Sequence, residues 1–110
     1  MGNSAKIFYG KPQKAHNHDF NGTPVTTAAW VQLIASMDKA ISTVEIYNSS
    51  GSILELGLGS AGNEVSIPYY ILPNGSLILL PIEIAFGQRL SAKAVNQDAT
   101  VGELVLNFLG

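Results

Sequence analysis

From Ile41 onward, hydrophobic and polar residues alternate in short runs. In ISTVEIYN (41–48), Val44 and Ile46 alternate with Glu45 and Tyr47; in ILELGLG (53–59), Leu54, Leu56 and Leu58 share one side while Glu55 and Gly57 share the other. A period of two is that of a strand with one face buried. VSIPYYIL (65–72) and SLILLPIEIA (76–85) follow, then RLSAKAV (89–95) with Leu90, Ala92 and Ala94 inward, and GELVLNFLG (102–110) with Leu104, Leu106 and Phe108 inward. The clusters NSSGS, SAGNE, PNG and NQDAT separate these runs, and their residue types favour turns. SLILLPIEIA is apolar on both faces near its start, which implies burial on both sides or an interface. Pro68 and Pro81 cannot donate to a ladder, so each belongs on an edge strand, at a bulge or at a bend.

The segment TPVTTAAWVQLIASM (23–37) supports two readings. Trp30, Leu33, Ile34 and Met37 fall at helical spacing, whereas Val25, Ala29, Val31, Leu33 and Ala35 lie on one face of a strand, and Thr26 and Thr27 favour extended backbone. Six clear strands need a seventh or eighth to balance two sheets, so a strand is expected. The expected fold is all-β: a single β-sandwich of about seven or eight antiparallel strands over residues 25–110, of jelly-roll type. An extended basic N-terminal arm over residues 1–24 precedes it.

Composition sharpens this picture. The chain has 110 residues, enough for one domain. Its 46% hydrophobic and 13% charged residues make it too apolar for general disorder, and the charge falls well below the roughly 25% of an average soluble chain. That shortfall points to oligomerisation or docking on a larger assembly. Charge is also divided along the chain: residues 1–24 carry Lys6, Lys11 and Lys14 against Asp19 alone, and residues 25–110 carry three basic residues against seven acids. A basic arm ahead of an acidic body is drawn to acidic surfaces, but three spaced lysines make a poor nucleic-acid patch. With no cysteine, disulfides and thiolate chemistry are excluded. The longest apolar run, from Leu77 to Ile82, is far short of the roughly 20 residues of a membrane helix. MGNSAKIFYG lacks the apolar core of a signal peptide, and Lys6 stands where a myristoylation pattern needs Ser or Thr. A soluble protein made in the cytoplasm is the expectation.

The first candidate for chemistry is AHNHD (15–19), which holds both histidines of the chain. His16 and His18 would point the same way on an extended strand, with Asp19 or Asp38 as a third metal ligand, but zinc sites need three or four ligands and a supporting shell. The reading favoured is a polar arm contacting a neighbour, with no metal or other cofactor. The distribution of H, N and H does not match the ββα-metal nucleases. Glu45, Glu55, Glu83 and Glu103 occupy outward strand positions, where solvated charge limits edge pairing, and GLGSAG is not a phosphate loop. No enzyme is expected. Tyr69 and Tyr70, with Trp30, could form a platform for sugar rings, although adjacent tyrosines on a strand should place one ring in the core.

The stretches VEIYNSSG, LGSAGNE, ILPNGS, PIEIAFGQRLSAKAV and GELVLNFLG, in that order, resemble small jelly-roll decoration or cement proteins of tailed-bacteriophage capsids, over about two thirds of the chain. What the resemblance implies is a non-enzymatic structural protein on the virion capsid surface, made in the host cytoplasm. It would form a dimer or trimer and bridge neighbouring major capsid subunits. The alternative is a tail- or fibre-associated β-sandwich binding host glycans. Neither membrane nor nucleic acid is an expected partner. The residues expected to contact a partner are Lys6, Phe8, Tyr9, Lys11, Lys14, His16, His18 and Phe20 of the arm, with Tyr69 and Tyr70.

Overall fold

In a computed structural model, residues 15–73 and 77–110 are described. They form eight strands and, among the described residues, no helix: β1 (His16–Asp19), β2 (Val31–Ile34), β3 (Thr43–Asn48), β4 (Leu54–Leu58), β5 (Val65–Ile71), β6 (Ile78–Leu80), β7 (Leu90–Ala94) and β8 (Glu103–Leu109). They assemble into two four-stranded sheets, ordered β1-β8-β3-β6 and β2-β7-β4-β5. Every pairing is antiparallel. The pairings nest: β1 with β8, β2 with β7, β3 with β6, and β4 with β5.

The inward positions of the two sheets meet in one core, with Val44, Ile46, Leu104 and Leu106 from the first and Leu54, Leu56, Leu90 and Ala92 from the second. The chain is a β-sandwich, and its strands bury the residues that the period of two assigns to the inside. Pro68 lies on the edge strand β5 and Pro81 just beyond the edge strand β6, where a missing N–H costs no ladder bond.

Two segments differ from expectation. Residues 16–19, expected in the arm, are the edge strand β1, and Phe20 is fully buried in the core. Phe20 N–H donates to the Gly102 carbonyl at 3.0 Å, and Val25 and Ala99 exchange two backbone hydrogen bonds. The sandwich therefore begins ahead of residue 25. Conversely, the strand expected across 23–37 shrinks to the four residues of β2, leaving Ala29 and Ala35 exposed. Ladder bonds to β7 decide its length, and these shift register between Gln32 and Ile34. The turn expected at Asn74–Gly75 and the arm residues Lys6, Phe8, Tyr9, Lys11 and Lys14 lie outside the described residues.

The chain crosses from the first sheet to the second between β3 and β4, and a buried polar knot secures the crossing. Asn48, 1% exposed, donates its amide to the carbonyls of Ser52 at 2.8 Å and Ile71 at 3.3 Å. Its Oδ1 accepts from the Ser50 N–H and hydroxyl, and the Ser52 hydroxyl donates to the Asp98 carbonyl at 3.2 Å. Removing a partner from such a network leaves buried groups unsatisfied. Asn48→Ala is expected to lower unfolding free energy by about 2–3 kcal/mol, read from the midpoint of chemical denaturation; an unchanged midpoint would show that the knot contributes nothing.

Candidate functional site

The two histidines do not stand out from the fold as a tether. His16 lies opposite Leu106 and His18 opposite Leu104, both wholly buried, and directly opposed residues of an antiparallel pair share a face. Both imidazoles therefore lie on the core side of an edge strand. The His18 Nε2 sits 2.8 Å from the Thr23 carbonyl; a carbonyl only accepts, so this nitrogen carries the proton. The ring also meets Phe20 edge-on, with centroids 5.3 Å apart. His16 lines a cavity of about 260 Å³ with Ile34, Met37, Ile41 and Phe108, and Asp38 at its rim. Its Nε2 is buried without a hydrogen-bond partner. Among the described residues, no cluster of three or more His, Asp or Glu is placed to hold a metal.

Burial, and secondarily the charge of His18, push the His16 pKa below its ordinary 6.5. The unfolded chain thus binds a proton at His16 more readily than the folded one, so this group's contribution to stability is present above pH 6.5 and is lost as pH falls toward the lowered value.

The outward face of the second sheet carries a row of polar and aromatic groups. Tyr70 pairs with Glu55, and Glu55 with Lys93 on the other side. The Ser66 hydroxyl donates to the Glu55 carboxylate. A Cβ on Gly57 would come within 2.7 Å of the Trp30 ring, so the indole lies over Gly57 on this same face, with Lys93 Nζ 5.8 Å from its centroid. Only a residue without a side chain leaves room for the ring there. Both Tyr69 and Tyr70 are exposed, contrary to the expectation that one would be core. Between Glu55 and Gly57 the register shifts, and Ile67, Pro68 and Tyr69 bulge from the ladder, which frees Tyr69 from strict alternation.

Nearby, Arg89 donates to Glu64 at 2.9 Å, to Gln32 at 2.8 Å and to the Gly59 carbonyl at 3.4 Å. This bridge ties β2 and β7 to the β4–β5 connection, so it serves the fold. Backbone amide donors, from Glu64 itself foremost, act with Arg89 to hold the Glu64 carboxyl below its usual range, against the opposing effect of burial.

Among the described residues, an apolar margin lies where both sheets end. β5 and β6 are the outer strands of their sheets on the same side of the sandwich, each paired along one edge only. Of the eight large apolar side chains left exposed among the described residues, seven fall from Val65 to Phe86: Val65 (69%), Leu77 (64%) and Phe86 (74%) are the barest, and Leu72, Leu79, Tyr69 and Tyr70 complete the set. A groove of about 610 Å³ runs along this margin between Val65, Ile67 and Tyr69 on one side and Pro81 and Ile82 on the other, with Glu83 as its charged residue. Exposed apolar side chains gathered beside a groove favour an interaction site. Its signal in the sequence is the two-faced apolarity of SLILLPIEIA, but Val65 and Phe86 carry no such mark and were not anticipated. Of the anticipated contact residues among those described, Tyr69 and Tyr70 border this margin, His16 and His18 lie at the opposite edge, and Phe20 is inside.

Comparison of the chain with protein-family models, curated proteins and solved structures finds no match. No helix among the described residues is long and apolar enough to cross a membrane.

Acidification from pH 7.5 to 5.5 is expected to lower the melting temperature, and His16→Leu to flatten that dependence. Equal pH dependence in the two proteins would remove His16 as its source.

Proposed function

We propose that this chain is a structural, non-catalytic protein of the phage virion that binds the assembled capsid and bridges neighbouring major capsid subunits. The observation that carries this reading is the exposed apolar margin along β5 and β6, on a chain with few charges. A protein whose work is adhesion keeps such a surface bare until its partner covers it. The nested strand pairing supports the finer description as a jelly roll, since that fold is what a long antiparallel hairpin forms when wrapped into two sheets. Binding to the assembled lattice in preference to free subunits stabilises the lattice by mass action, and many modest contacts act together. Purified protein is expected to bind expanded heads at a fixed stoichiometry of hundreds of copies per particle, as many-copy decoration requires. Leu79→Glu in the margin should abolish that binding, and absence of the chain from purified particles would refute the reading.

A second reading, a module for host glycans, is favoured by one observation: Trp30 and Tyr70 lie on one sheet face with Glu55 and Lys93 between them. Aromatic rings flanking hydrogen-bonding groups suit a sugar. Glycan-array binding lost on Tyr70→Ala would support it, and a blank array with the folded protein would dismiss it.

A further inference from the structure

The margin of β5 and β6 combines three properties that together specify an occupant. It has two open strand edges, whose backbone donors and acceptors can accept an added extended segment. It has apolar side chains to cover, among them Val65, Ile67, Tyr69 and Leu79. The charged residues lining its two grooves are acids, Glu83 in one and Glu55 in the other. A second copy of the same margin would match the first two properties but bring like charges together. The N-terminal segment of the chain matches all three: residues 1–14 contain Lys6, Lys11 and Lys14, no acid, and the consecutive apolar residues Ile7, Phe8 and Tyr9.

The described chain starts at Ala15, just before β1, and β1 and β6 are opposite edges of one sheet, three strand spacings or about 14 Å apart. At up to about 3.3 Å per extended residue Lys6–Lys14 spans about 30 Å, which reaches an adjoining molecule as well as the chain's own margin; the low charge of the chain, 13%, points to association of copies and favours the adjoining molecule. We propose that residues Lys6–Lys14 of one copy dock along the β5–β6 margin of a second copy, with Ile7–Tyr9 covering Val65, Tyr69 and Leu79 and the lysines facing Glu83 and Glu55. The contact is heterologous, head to tail, so successive copies close into a ring if the rotation permits. The contact shares its margin with the capsid reading, and crosslinking of the purified chain with no capsid present tests it apart from that reading.

The test uses the full chain with Phe8→p-benzoylphenylalanine, mixed in equal parts as isotopically heavy and light protein, photolysed and mapped by mass spectrometry. Heavy–light products joining position 8 to residues 65–69 or 77–83 are expected. They should be lost in the Leu79→Glu and Glu83→Lys variants, whose melting temperatures check that the fold is intact, and should fall as salt is raised. Products within single chains only would overturn docking between copies. Crosslinks elsewhere, or none, would overturn the margin as the docking site.

Discussion

A chain that crosses between two packed sheets must bury backbone groups at the crossing, where no ladder is available to satisfy them. Asn48 resolves this for the sandwich. As the last residue of β3 it belongs to the first sheet, yet its amide reaches the carbonyl of Ile71 at the end of β5 in the second. A single side chain thereby supplies donors to Ser52 of the crossing and to Ile71 of the second sheet, and an acceptor to Ser50 of the crossing. Leu54 and Ile71, opposite each other beyond the knot, are both buried in the core. Ser50 and Ser52 are buried as well.

Much of this architecture is legible in the sequence because hydrophobic alternation reports which side of a strand is dry. Val44 and Ile46, Leu54 and Leu56, Leu90 and Ala92, and Leu104 and Leu106 are all inward as the period of two requires. β1 escaped that reasoning because its inward positions are His16 and His18, polar by type but partly buried by position beside Leu106 and Leu104. The extent of β2 was unreadable for a different cause: the limit is set by pairing with β7, a partner almost sixty residues away, and local propensity does not encode it. The tyrosine pair fails strict alternation because a bulge changes the count, and nothing in SIPYYI beyond Pro68 announces one.

The candidate surfaces were legible to a lesser degree. Low charge and the two-faced run at 76–85 pointed to an interface, but its location required knowing that β5 and β6 finish their sheets on the same side. The outward row of Trp30, Lys93, Glu55 and Tyr70 draws on four elements scattered from residue 30 to residue 93, and only folding brings them together. The structure thus separates two surfaces that a linear reading merges: an apolar margin along β5 and β6 and a polar-aromatic face on the second sheet.

Exposed strand edges carry a hazard as well as a use, since any extended chain can add to them and growth need not stop at one addition. In this molecule Pro68 interrupts β5 within its bulge and Pro81 follows directly on β6. Each removes one amide proton from the row a newcomer would pair with. The open side of the sandwich consequently offers short stretches of backbone pairing in place of a continuous template. That geometry limits any added strand to brief pairing and works against indefinite fibrous growth.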